Sequence, residues 1–381
     1  MTKIYKLHNS FKHYEWGSPK ILPQFLSIEN NNAEPYAEMW MGNHNSAPSQ
    51  TEVNGNLVNL SQVAEDIPFL LKLLAVEKPL SIQAHPNKEQ AVKGFNREND
   101  AGLRLSNPVR NYNDSNHKPE ITCALSPFTL MAGFREPENI HKSFEEFLSI
   151  APLLKEIFAP LLSSLEDSSL SAFFQKLNNF SYIDMEKISS LLLENKNEKK
   201  AGVITGEQWQ LMKSFAAQYR RDPAILSPLY LNLLTLQPFQ AVFIPAGVLH
   251  SYISGFALEL MANSDNVLRG GLTPKRVDIA ELCNILRFEP FAPQIITPSA
   301  DSDCFCYQTP CDEFLLYFTR ADGGEKEFNV NGSAICIVTE GELRAGAHVF
   351  KKGESFFVPK DAQPSVFSGK YSLFSACSGE K

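Results

Sequence analysis

The feature that most limits what this chain can fold into is a change in the period of its hydrophobic residues, which happens twice along 381 residues. From residue 1 to about 137, short apolar stretches such as FLLKLLAV and ITCALSPFTLMAGF are separated by Pro, Gly and Asn clusters, the pattern of strands joined by turns. Between Pro137 and Pro228, Phe144, Phe147, Leu148, Leu153, Leu154, Ile157 and Phe158 recur at spacings of three and four, the helix period, and a further helical run spans Met185 to Lys200. Thr205 followed by Gln208 is a capping box opening another helix. After Pro228 short strands return, in QAVFIPAG, SAICIVTEGELRA, HVFKKGESFFVP and YSLFSAC, with turn signals about every ten residues. This spacing predicts an all-β sandwich or barrel interrupted by helices, in two or three domains.

Composition excludes several function classes. Lys and Arg number 35 against 43 Asp and Glu, a net charge of −8 with no basic block, so a nucleic-acid surface lacks its electrostatic footprint. No stretch of 18 uncharged apolar residues occurs, and the first residues lack the apolar core of a signal peptide, so no membrane partner and a cytoplasmic location are expected. Seven cysteines without a CxxC pair argue against a thiolate metal site or a disulfide framework. Neither GxGxxG nor a GKT or GKS signature follows any strand, so nucleotide chemistry has no support.

Three short stretches carry chemistry. In Ser81-Ile-Gln-Ala-His-Pro86, Gln83 and His85 lie two apart and point the same way from an extended chain. In His117-Lys-Pro-Glu120, a carboxylate stands at the start of the strand ITCAL. In Val242-Phe-Ile-Pro-Ala-Gly-Val-Leu-His250, an apolar strand runs into a Pro-x-Gly turn that swings a histidine back over the sheet. Gln83, His85, Glu120 and His250 together suit zinc, which takes nitrogen and oxygen ligands and keeps an open position for chemistry. His44 and His117 are alternatives for any one of these ligands.

The chain resembles the type I mannose-6-phosphate isomerases, zinc enzymes of the cupin superfamily. The resemblance rests on Tyr14-Glu-Trp-Gly17, Ala37-Glu-Met-Trp-Met-Gly42, Lys78-Pro-Leu-Ser-Ile-Gln-Ala-His-Pro86, His117-Lys-Pro-Glu120, Ile244-Pro-Ala-Gly-Val-Leu-His250 and the segment Glu259 to Lys275, which keep the family's order. It implies a mainly β fold with a helical insertion. A cupin-type jelly-roll catalytic domain would comprise residues 1–137 and 229–290, the insertion residues 138–228, and a smaller jelly roll without a metal site residues 291–381. It implies one zinc ion on Gln83, His85, Glu120 and His250, and interconversion of mannose 6-phosphate and fructose 6-phosphate by a monomer.

The same resemblance implies Arg269 as a residue needed for turnover and Lys118 as a proton-transfer group. Lys72, Ser81 and Lys275 match positions facing the sugar phosphate, and Trp16, Glu38, Tyr252, Glu259 and Asp265 match pocket-lining positions. Chemically, an arginine stays protonated and suits charge stabilisation, whereas a lysine serves as base only when burial and a nearby cation depress its pKa. Against these roles stand plainer ones: an exposed turn lysine at Lys118, an Arg269–Asp265 ion pair, a structural ion pair for Lys72, and core packing for Trp16 and Tyr252. The polar segment Ala91 to Asn116 is expected to be a lid or a long solvated loop. A metal used only as a structural clip, or an oxygenase site, are the competing readings, though Gln83 suits the latter poorly.

Overall fold

The structure, a computed structural model, describes residues 4–64, 67–194, 202–299, 302–330 and 332–379. It is mainly β with a helical insertion.

Among the described residues, eleven strands form two sheets that share one long strand, His250–Ala262. Its residues 255–262 lie between Phe69–Val76 and Glu120–Ala124, all antiparallel, and this sheet continues to Glu38–Gly42 and Ser10–Lys12 on one side and to Ala241–Ile244 and Ile295–Ile296 on the other. Its first residues, 250–254, belong instead to a second sheet, paired with Phe128–Phe134 and through His250 with Ile82–Ala84, which in turn pairs with Leu268–Gly271. A register shift falls between Tyr252 and Ser254, and Gly255 follows at φ +116°. Such a bend lets one strand serve two packed sheets. A side chain at Gly255 would sit 2.4 Å from the Pro127 carbonyl oxygen, so both the dihedral and the space require glycine.

Alternation along Phe69–Val76 decides what each face does. Phe69, Leu71, Leu73 and Ala75 enter one core, shared with Tyr307, Leu316, Ile335, Phe357 and Phe374 of the C-terminal sheet. Leu74 and Val76 point the other way, into the sandwich interior with Phe128, Leu130, Val242 and Tyr252. A strand buried on both faces reads as an unbroken apolar run, and FLLKLLAV is one, with Lys72 as its single charge.

The helices Pro137–Ile150, Lys155–Glu166, Leu170–Asn178, Tyr182–Glu194 and Gly206–Gln218 pack on the outer face of the second sheet. Phe144, Phe147, Phe158, Phe173 and Phe174 fill that interface with Met131, Phe134 and Leu249. The capping box at Thr205 and Gln208 is present. The end of the helical run expected through Lys200, residues 195–200, lies outside the described residues.

Three features depart from the expected layout. The strand Tyr5–Lys6 pairs with Ser355–Val358, so the N-terminus joins the seven-stranded C-terminal sheet. Ile295–Ile296 pairs with Ala241 and Val242, which carries the first β unit past residue 290. Residues 88–100, of which 91–100 were expected as loop or lid, form a helix whose start is a capping box of Asn87 and Gln90. The helix is polar enough to hide its period, but Gly94 sits against the Tyr112 ring and Arg110 ties the following loop to Asn99, Leu103 and Tyr112.

Gly255→Ala should destabilise the protein by about 3 kcal/mol, combining a positive-φ penalty with a backbone clash. A urea midpoint equal to that of the parent would show that the strand does not turn there.

Candidate metal centre

The inward face of the first sheet carries charge in register. Trp40, Lys72, Glu259 and Thr122 are direct cross-strand neighbours on four adjacent strands. Lys72 Nζ donates to Glu259 Oε2 at 3.0 Å with both side chains buried, and lies 5.0 Å above the Trp40 ring, whose Nε1 donates to Glu38 at 2.5 Å. Burial alone would depress the Lys72 pKa, but Glu259, Glu38 and Glu120 outweigh it and keep the ammonium charged.

Next to this row three ligand-type side chains converge. His85 follows the strand Ile82–Ala84, Glu120 opens Glu120–Ala124 and His250 opens His250–Ala262. His85 Nε2 lies 3.4 Å from Glu120 Oε1 and His250 Nε2 lies 3.3 Å from Glu120 Oε2. One ligand atom from each of the three falls within 4.8 Å of the others. The Gln83 amide, register partner of His250, approaches His250 Nε2 at 3.4 Å. Neither His44 nor His117 joins the group: His44 Nε2 meets Asp265 Oδ1 at 3.3 Å and His117 pairs with Glu313.

These residues fit a zinc ion. Each imidazole faces a backbone carbonyl through Nδ1, His85 at 2.7 Å from Asn266 and His250 at 3.0 Å from Val248, so Nδ1 carries the proton and Nε2 offers its lone pair inward. His85 Nε2 is buried and, among the described residues, without a hydrogen-bond partner, an unmet demand that a cation satisfies. Burial, together with the charge of Lys118, lowers the His85 pKa to about 4, so the ring is a neutral ligand at pH 7. Glu120 is fully buried; burial opposes its ionisation, but Lys118 Nζ at 2.5 Å and the two imidazoles hold its pKa well below the ordinary value.

A cleft of about 1160 Å³ opens beside this group. Gln83, Lys118 and Arg269 line it, as do all eight residues expected to face substrate: Lys72, Ser81, Lys275, Trp16, Glu38, Tyr252, Glu259 and Asp265. Tyr252 hydroxyl is 2.7 Å from Thr122 Oγ1 and donates to Glu120 Oε2 at 3.3 Å. Arg269 is the register partner of Gln83, and among the described residues its half-buried guanidinium has no ion-pair or hydrogen-bond partner. The alternative pairing with Asp265 is taken by His44. Burial, then the Arg269 charge, lowers the Lys275 pKa, which marks this end of the cleft as positive.

Residues 4–137 match the family model for the catalytic domain of type I phosphomannose isomerase. The mannose-6-phosphate isomerase of Salmonella typhimurium is 36% identical over 393 residues, covering 96% of this chain and 97% of that protein. The chain belongs to the mannose-6-phosphate isomerase family. The Homo sapiens member is 31% identical, with 90% of this chain and 89% of that protein covered. Among solved structures, the Salmonella typhimurium enzyme bound to substrate and zinc superposes with a TM-score of 0.85 at 33% identity, covering 98% of this chain and 99% of that one. A mutant of the same enzyme gives 0.88.

The family's cleft here also includes residues that the sequence left unmarked. Arg110, Asn111, Asn113 and Asp114 reach it from the loop after the Lys88–Asp100 helix, and Gln218 and Tyr219 from the end of the helical insertion. Asp222 joins insertion to cleft: its carboxylate accepts from Ala224 N at 2.9 Å and from Leu272 N at 2.6 Å, fixing the loop between Arg269 and Lys275. The Asn87-x-x-Gln90 capping pattern was the available signal for the first group; nothing local announces the second.

The buried ligands make the metal-free protein acid-sensitive. Unfolded, His85 takes up a proton near pH 6.5; folded, only near pH 4, so the unfolded chain binds more protons between those values and stability falls as pH drops through that window. The loss should reach about 3 kcal/mol, with a further loss below pH 4.5 as Glu120 is forced to protonate. Chemical denaturation of zinc-stripped protein at pH 7 and pH 4.5 measures it, and equal stability at both would contradict the ligand environment described.

Proposed function

We propose that this chain is a zinc-dependent aldose–ketose isomerase that interconverts mannose 6-phosphate and fructose 6-phosphate by moving a proton between C1 and C2 through an enediol-like intermediate. The observation that carries this reading is the buried His85–Glu120–His250 group with an unsatisfied His85 Nε2, set beside a cleft that holds an arginine with no partner among the described residues. Family membership over nearly the whole chain supports it.

Gln83, His85, Glu120 and His250 would hold one zinc ion. Bound there, zinc supplies a Lewis acid for the substrate's oxygens. Arg269 keeps its charge in spite of burial, because a guanidinium does not deprotonate in proteins, and it stabilises the negative charge that develops on the carbonyl oxygen. Lys118 is the proton-transferring group: it is buried, lines the cleft and is tied to Glu120. Lys72 is held by Glu259, facing the cleft beside Glu38 and Tyr252, where it contacts substrate hydroxyls. Lys275 and Ser81 take the phosphate-bearing end, and Trp16, Tyr252, Glu259 and Asp265 shape the remaining wall.

The catalytic unit comprises the two sheets that share His250–Ala262. The helical insertion at residues 138–228 buttresses the second sheet, and the C-terminal β unit, with no His-containing ligand group among its described residues, covers the first. No single described helix is long and apolar enough to cross a membrane.

Assay of mannose 6-phosphate and fructose 6-phosphate interconversion, with and without a chelator, tests the function. Activity should vanish on zinc removal and return with zinc, whereas a metal serving only as a structural clip predicts no turnover in either state. Arg269→Lys keeps charge but loses the planar fork, so kcat should fall more than about tenfold, at least about 1.4 kcal/mol of transition-state stabilisation, with folding and zinc content intact. Near-normal kcat in that variant would move the catalytic role elsewhere in the cleft.

A further inference from the structure

The two imidazoles are oriented by different means. His250 Nδ1 donates to Val248, two residues back in its own turn, and needs nothing from elsewhere in the chain. His85 Nδ1 donates to the carbonyl of Asn266, 181 residues away, in the segment between His250–Ala262 and Leu268–Gly271. Among the described residues no strand pairing fixes residues 264–266, so something else must hold that carbonyl in place.

It is held by side chains. Asn266 is fully buried, and its Nδ2 donates to the carbonyls of Asp114 and Asn116, both at 2.8 Å, and to Asp114 Oδ1 at 3.1 Å, while its Oδ1 accepts from Asn113 N at 2.7 Å. Asp114 answers across the same gap: its carboxylate accepts from Asp265 N at 2.7 Å, from Ser264 Oγ at 2.9 Å and from Asn116 N at 2.8 Å. The loop so clamped runs directly into Lys118 and Glu120.

We propose that Asn266 and Asp114 are positioning residues of the metal centre, a reciprocal side-chain clamp that sets the proton on His85 Nδ1 and aims Nε2 at the ion. This rests on the reading that the centre holds zinc. Hydrogen-bond partners behind a metal-ligating histidine tune metal affinity by about 10–100-fold, and this pair acts on His85, and through its loop on the approach to Glu120, without touching the other imidazole.

The test uses the full-length zinc enzyme. Asn266→Ala and Asp114→Asn should each weaken zinc affinity at least about tenfold in competition with a chromophoric chelator, and the rise in Tm on adding zinc should shrink. The nitrogen shifts of His85 in 15N-histidine-labelled zinc-free protein should lose the pure Nδ1–H tautomer while those of His250 stay unchanged. A clamp that merely stabilises the fold predicts something else: equal Tm losses with and without zinc, unchanged affinity and an unchanged His85 tautomer, and that result overturns the proposal. Asp114→Asn, which keeps the side-chain volume, decides the matter if Asn266→Ala does not fold. Failure of the parent protein to bind zinc at all would overturn the zinc reading itself, and the clamp with it.

Discussion

A carboxylate with no exposure, at the start of a strand inside a β sandwich, is the constraint on which the rest of this structure depends. Leaving Glu120 ionised there without compensation would cost several kcal/mol. Its compensation comes from Lys118 two residues earlier and from the Tyr252 hydroxyl, and a cation shared with His85 and His250, whose Nε2 atoms lie 3.4 and 3.3 Å away, would complete it. Each partner imposes something on the fold. His250 and Tyr252 can reach Glu120 only if their strand leaves the first sheet for the second, and the register shift and Gly255 accomplish that. His85 can reach it only if the strand Ile82–Ala84 ends over the same spot, where its backbone pairs with His250 and Arg269.

The charges in this interior do not cancel among themselves. Among the described residues, the buried carboxylates Glu38, Glu120 and Glu259 at this site outnumber the buried lysines Lys72 and Lys118 beside them. A divalent cation at the His85–Glu120–His250 group offsets the difference, which gives the ion an electrostatic reason to be there apart from its ligand geometry. Arg269, register partner of Gln83, and Lys275 line the same cleft without a carboxylate partner among the described residues. The carboxylate-rich side of the cleft thus favours a cation, and the side with Arg269 and Lys275 favours an anion.

How much of this was legible in the sequence follows from the range of each interaction. Gln83 and His85, two apart, and His250, three residues after Gly247 at φ +78°, sit in local geometries that a linear pattern records. So do the helices around Phe144 to Phe158, whose apolar residues repeat at three and four, the run from Met185, and the helix that the Thr205–Gln208 capping box opens. The Lys88–Asp100 helix lies in a polar stretch that reads as loop or lid, and its Asn87–Gln90 capping box is the local signal for it. Asn266, Asp114 and Asp222 act through hydrogen bonds to backbone groups 50 or more residues away, and the pairing of Tyr5–Lys6 with Ser355–Val358 spans nearly the whole chain. An Asn or Asp in a loop has the same local appearance whether it is solvated or clamps a ligand. The discrimination between His85 and the competitors His44 and His117 is of the same kind, because only the fold shows that His117 turns toward Glu313.

The C-terminal β unit contributes no ligand, yet it bears on the chemistry through burial. Its residues Leu316, Ile335, Phe357 and Phe374 cover the outer face of the first sheet, the face that Leu71, Leu73, Ile121 and Leu258 present. Without that cover, strands carrying Glu120, Lys72 and Glu259 on one side would expose a continuous apolar surface on the other, and such a surface would not stay in water as a stable monomeric face. With it, the outer face of the sheet is dry, and the low dielectric behind the row from Trp40 to Thr122 strengthens its interactions. The charged residue inside FLLKLLAV is therefore intelligible from both directions: seven apolar neighbours make the strand a core element, and the burial they produce is what makes the ion pair between Lys72 and Glu259 strong enough to hold a lysine facing the cleft.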